Sequence, residues 1–203
     1  MGRNRLLVVQ CAGLGHEFLV GTLPTFGSVP SCCSNDMTGQ SQTAGQSLRF
    51  SGLAFRPIET VFPAVTCTVQ ASFRTASAPG AHGVVGNGWF DRDLRKVFFW
   101  EQSSALVSGA RIWSKFRLRG KRVAVLFWQQ SLGEDADLIL SPAPIHKHHG
   151  GMIEDCYSKP DGLYQRLCEK VGGPFKLRHY WGPMASTKSG DWAAEATAAL
   201  LGD

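Results

Sequence analysis

The sequence predicts an α/β fold with a largely parallel sheet flanked by helices. Three observations carry that reading. Short apolar runs alternate along the chain with segments whose apolar residues recur three and four apart, Gly and Pro punctuate the junctions, and no apolar run approaches the roughly 18 residues a membrane helix needs. The 203 residues include 23 Gly and 10 Pro, so the connections are many and tight. They are 43% hydrophobic and 18% charged, which is enough apolar side chain for one ordinary core and excludes a charge-rich disordered polymer. We read residues 1–203 as a single domain.

In chain order, Leu6 to Cys11 is a short apolar run that reads as a buried parallel first strand turning at Ala12-Gly13. Arg3 and Arg5 imitate the start of a secretory signal, but Gln10 and the Gly13 to His16 stretch cut its apolar region short. Leu6 stands where an N-myristoylation motif wants Ser or Thr. Residues 28–47 are Ser, Gly, Gln, Thr and Asn around Cys32-Cys33, without a period, and read as a polar loop or insertion. Val61-Phe62-Pro63 should be extended and a helix should begin at Thr66. Pro79 to Gly83 and Gly86-Asn87-Gly88 are turn clusters around Val84-Val85, as expected of a functional loop.

Trp89 to Asp91 and Val97 to Trp100 read as arms of an irregular hairpin. Ser104 to Phe116 has helical spacing, Val123 to Trp128 reads as a buried strand, and Asp137 to Leu140 adds another. Pro142 to Gly151, with His146, His148 and His149, reads as a loop. Asp161 to Val171 is a helix ended by Gly172-Gly173-Pro174, and Ser189 to Leu200 is the last helix.

The six cysteines are too sparse for a disulfide scaffold and form no CxxC pair, so reduced thiols in the cytoplasm are expected. The net charge is +5, and six basic residues with no acid fall between Arg111 and Arg122. A solvated helix face is the ordinary reading of such a run; a nucleic-acid module would use it instead, but nucleic acid is not the expected partner, nor is a membrane. Trp89, Trp100, Trp113 and Trp128 could stack bases, but at this spacing core or pocket-wall positions are the ordinary outcome.

Chemistry concentrates at two positions. Thr66 opens a helix, where a hydroxyl ordinarily caps, and where free N–H groups also offer an anion-binding end. Asn87 sits between two glycines, the ordinary setting of a left-handed turn residue. Phe62-Pro63-Ala64-Val65-Thr66 is followed by His82-Gly83-Val84-Val85-Gly86-Asn87-Gly88-Trp89, then by Ile112-Trp113 and Phe127-Trp128. This pattern resembles the nucleotide pyrophosphatase and type I phosphodiesterase family of the alkaline phosphatase superfamily. Asp155-Cys156-Tyr157 and Trp181-Gly182-Pro183 look like a subgroup of it.

The resemblance implies an alkaline-phosphatase-like core, two zinc ions, and Thr66 as both a metal ligand and the nucleophile that forms a phosphothreonine. It implies Asn87 as a donor to a non-bridging phosphoryl oxygen, with His82 supporting its turn, and a phosphate ester or nucleotide as substrate. Ala12 stands where the family has a metal-binding Asp. Asp161 to Gln165 has the outline of the family's Asp-x-x-x-His step, with Gln165 in place of His. His16 lies close in sequence to Ala12. The chain is shorter than a usual member and reads as its amino-terminal portion, apparently truncated.

The leading expectation is therefore metal-dependent hydrolysis of a phosphodiester or nucleotide pyrophosphate. The alternative is a catalytically inactive truncated member, a binding or structural fragment that associates with another chain.

Overall fold

Two segments bring the site together in the computed structural model, a helix that starts at Thr66 and a hairpin that starts at Gly88. The structure describes residues 5–16, 18, 56–142, 145–146, 152–153 and 156–202. They belong to two units, Met1–Glu59 and Thr60–Asp203. In the first unit, residues 5–11 are exposed and form no strand, contrary to the expectation for Leu6 to Cys11. The run has no ladder partner among the described residues, and an apolar segment without one has nothing to satisfy strand N–H and C=O groups except water. The expected turn is present at Ala12-Gly13, with Gly13 at φ +77°. Residues 28–47, Cys32, Cys33, His148, His149 and Asp155 lie outside the described residues.

The second unit begins with α1 (Thr66–Thr75), entered from an extended Val65 and closed by Ala76 in the left-handed region. Phe62-Pro63 forms a bend rather than continuing an extended segment, and Val65 N–H donates to Pro63 O at 2.9 Å. The single turn α2 (Pro79–His82) takes its start from Pro79 and its end from Gly83 at φ +81°. The antiparallel hairpin β1 (Gly88–Asp91) and β2 (Lys96–Phe99) follows, with Gly88 opposite Phe99 and Asp91 opposite Lys96. A Cβ on Gly88 would lie 2.6 Å from the Phe99 ring, so only glycine fits there.

The helix expected over Ser104 to Phe116 is instead a 3₁₀ turn, Ser104–Leu106, and a short helix, α3 (Ser114–Leu118). Gly109 at φ +96° interrupts it, and the backbone donors between are taken by tertiary partners: Ser108 N–H by His82 O at 3.0 Å and Ile112 N–H by Arg74 O at 2.8 Å. Helical periodicity lost to long-range hydrogen bonds that satisfy the same groups.

β3 (Ala124–Leu126), β4 (Leu138–Pro142) and β7 (Cys156–Lys159) make a three-stranded sheet, parallel between β3 and β4 and antiparallel between β4 and β7. β5 (Ile145–His146) pairs antiparallel with β6 (Met152–Ile153), so His146 lies in a strand and not in a loop. The fold is mixed α/β. Among the described residues β3–β4 is the one parallel strand pair, and β7 joins β4 antiparallel after the intervening β5–β6 pair.

β4 is buried on both faces. Ile139 and Val125 point to a cluster with Ala136, backed by Trp113 and Trp128. Leu140 points the other way, where α4 (Leu163–Val171) and α5 (Lys188–Gly202) supply Leu163, Leu167, Trp192 and Ala196. Gly172, at φ +86°, ends α4 as its sequence predicts.

Candidate functional site

Val65 contributes no capping side chain to α1, and the first turn carries no acid. The orphan donors of that turn therefore need an outside partner. One comes from Asn87: Cys67 N–H donates to its Oδ1 at 3.0 Å. An amide whose oxygen faces Cys67 turns its Nδ2 elsewhere, and Nδ2 has no protein partner among the described residues. Trp100 N–H donates to Asn87 O at 2.9 Å, so both ends of the residue are fixed. Thr66 and Asn87, 21 positions apart in sequence, are thus placed together at the positive end of a ten-residue helix.

The loop that carries Asn87 is pinned to α1 by His82. Val84 N–H donates to its Nδ1 at 3.1 Å, and its Nε2 lies 2.8 Å from Ser72 Oγ. Since Nδ1 accepts, the neutral ring bears its hydrogen on Nε2 and donates to Ser72. Burial, reinforced by the nearby Arg74 cation, pushes the His82 imidazole below its ordinary range. This places His82 as a support for the Asn87 turn.

Beneath α1 lies a polar network that neither composition nor periodicity announces. Arg74 is fully buried; it donates to Gln130 O at 2.8 Å and Gln129 O at 3.0 Å, and its Nη1 lies 3.4 Å from Glu134 Oε2. Glu134 also holds Arg111, whose Nε is 2.9 Å from Oε2. Burial lowers the Arg74 guanidinium to about 10, against the pull of Glu134, and it stays a cation at neutral pH. Gln70 accepts from Gln129 N–H at 2.8 Å, and Gln102 bonds both Gln129 and Gln130. Gln129 Nε2 reaches Tyr180 Oη at 3.4 Å.

On the buried face of α1, Arg74 shares its side with Thr68 and Gln70, and it is answered by Gln129-Gln130 after Phe127-Trp128. Cys67, between Thr66 and this network, is buried, and burial raises its thiol to about 11. It is a packing residue in that state.

Ala12 is exposed in its turn and His16 is half-buried, both in the first unit. Asp161 is exposed ahead of α4 and Gln165 lies on its exposed face. Among the described residues no group of three or more His, Cys, Asp or Glu side chains is placed to hold a metal ion. Thr66 is the one zinc-ligand candidate at the site, and its lone hydroxyl beside an apolar, protonated Cys67 does not amount to a zinc donor set.

The arrangement offers a hydroxyl and an amide donor at a helix N-terminus, suited to a tetrahedral anion. The family model for type I phosphodiesterase / nucleotide pyrophosphatase matches residues 46–201. No curated protein matches the chain.

Proposed function

The chain belongs to the type I phosphodiesterase / nucleotide pyrophosphatase family, and from that premise we propose that it transfers a phosphoryl group from a phosphodiester or nucleotide pyrophosphate to Thr66. The observation that carries the reading is the Cys67–Asn87 hydrogen bond, which holds Asn87 against the residue that follows Thr66 at the start of α1. The phosphoryl oxygens are received by the α1 N-terminus and by Asn87 Nδ2. Thr66 Oγ1 attacks phosphorus as its proton passes to the departing ester oxygen, and water then cleaves the Thr66–phosphorus ester to return Thr66 and release the phosphate monoester. Asn87 stabilises the charge that develops on the non-bridging oxygen.

The family's activity is generally metal-dependent, with zinc as the expected ion. The described residues do not supply its ligand set, so no step here is derived through zinc. The thiols of Cys11, Cys67 and Cys168 support a reducing, cytoplasmic setting. Among the described residues, no helix is long and apolar enough to cross a membrane.

The test is hydrolysis of bis-p-nitrophenyl phosphate by the 203-residue chain, with zinc and with chelator, beside Thr66→Ala. The expected result is turnover that the variant loses, with a phosphoryl adduct on the peptide that carries Thr66 after acid quench. Turnover unchanged in Thr66→Ala overturns the nucleophile assignment. A folded chain without turnover favours the binding or structural fragment.

A further inference from the structure

We propose that the cap formed by residues 115–122 is a docking surface for an anionic lipid bilayer. α3 ends in a tight glycine closure: Lys121 N–H donates to Phe116 O at 3.0 Å and Gly120 N–H to Arg117 O at 2.8 Å, with Gly120 at φ +68°. Such a closure ordinarily folds an apolar residue after the glycine back over the last turn. Here that position is Lys121, so the turn keeps its apolar side chains in the open. Phe116 is 49% exposed and Leu118 is 87% exposed.

Four exposed cations surround them, Lys115, Arg119, Lys121 and Arg122. The acids that face this cap are Asp135 and Asp137, ahead of β4, and both are held by Arg117. Asp137 also accepts from Val123 N–H at 2.8 Å and interacts with Arg122. Lys115, Arg119 and Lys121 have no acidic partner among the described residues. Arg117 and the Trp113 indole, which donates to Asp135 O at 3.2 Å, hold the cap against the β3–β4 connection.

Two classes of polyanion meet such a charge, a nucleic acid and an acidic membrane. Cations alone suffice for phosphate backbone contacts, which leave Leu118 with nothing apolar to enter. A bilayer accepts both parts: Phe116 and Leu118 enter the boundary of the acyl chains while the ring of cations remains among the headgroups. The lipid surface is thus the occupant that the composition of the cap favours. This inference uses neither Thr66 nor Asn87 and stands apart from the phosphoryl chemistry.

The full chain is sedimented with vesicles of phosphatidylcholine alone, and with vesicles that contain about 30% phosphatidylserine, over a range of salt. Binding is expected to the acidic vesicles only, and to weaken with salt. The pair Arg119→Gln/Lys121→Gln removes two cations, each contributing about a factor of five, so partition falls about 25-fold. Leu118→Gln lowers it about tenfold through the apolar contact. These side chains are exposed, and unchanged thermal unfolding of each variant confirms that the fold persists. Equal partition into neutral vesicles, no sedimentation, or partition indifferent to either variant overturns the proposal. So does preferential binding of a single-stranded oligonucleotide that Leu118→Gln leaves unaltered.

Discussion

Substitution of Asn87 separates what its side chain does for α1 from what it does for a phosphoryl group. In Asn87→Ala the Cys67 N–H loses its acceptor; it belongs to a residue 1% exposed, so water cannot readily replace the amide. The expected loss is about 1–2 kcal/mol, the range for a buried donor left unmatched or a helix cap removed. Asn87→Asp keeps an acceptor at that place and brings a carboxylate to a first turn that has no acid. Its charge gains about 0.3–1 kcal/mol from the helix dipole, so the two variants differ by about 1.3–3 kcal/mol in urea unfolding at pH 7.

Activity behaves differently. Both variants lack the Nδ2 donor, and each loses about 10²- to 10³-fold in kcat on bis-p-nitrophenyl phosphate, with the aspartate the worse because it repels the phosphoryl oxygens. If Asn87→Asp unfolds at the alanine variant's urea midpoint, the Cys67–Asn87 bond does not hold the helix as described. If it retains the wild-type rate, the amide donor is not part of the chemistry.

Other outcomes follow from the surroundings. Glu134→Gln leaves Arg74 and Arg111 facing each other without a carboxylate, and should destabilise by about 3–5 kcal/mol in urea unfolding; a change below about 0.5 kcal/mol would contradict a buried pair. His82 has its folded pKa below its ordinary value of 6.5, so the unfolded chain takes up the proton first as pH falls; its stability contribution is complete above about 6.5 and declines below it. Equilibrium unfolding of His82→Gln across pH 5–7 should lack that part of the slope, and an unchanged slope would assign it to another group. The Cys67 thiol, raised to about 11, should resist iodoacetamide in the native protein at pH 8 while exposed Cys11 reacts, as peptide mapping will show; equal labelling would mean that Cys67 is not buried.

Elements with complete local instructions were readable in the sequence. α4 has apolar residues on one side and Gly172 at its end, the hairpin has aromatic arms around a polar turn, and Thr66 marks the start of α1 in both readings. Where the instruction lay in a distant partner, local reading failed. Leu6 to Cys11 has strand composition but no ladder partner among the described residues. Ser104 to Phe116 has helical spacing, yet Arg74 and His82 carbonyls take its donors. β7 was missed because Cys156 to Lys159 mixes polar and apolar residues without a clear alternation.

At the site, the motif in the sequence points to Thr66 and Asn87, whereas the bond from Cys67 N–H to Asn87 Oδ1 that holds Asn87 beside the start of α1 is a fact of three dimensions. Arg74 lay hidden for another reason. A charged residue is expected at the surface, and the carbonyls of Gln129 and Gln130, the Gln130 side-chain oxygen and the Glu134 carboxylate make its burial tolerable.

The way α1 is fastened has a consequence for the order in which the protein can assemble. Its partners lie at increasing distance along the chain: His82 is 10 residues from Ser72, Asn87 is 20 from Cys67, and Glu134 is 60 from Arg74. Loops of the first two lengths close at small entropic cost, so the Thr66 end can be organised by its own neighbourhood early. The Arg74 end must wait until β3 and the turn beyond it arrive, and until then it exposes a guanidinium to water at the place where the core will close. A nascent chain released before Gln129 would therefore carry a formed Cys67–Asn87 contact on a helix whose far end has nowhere to go.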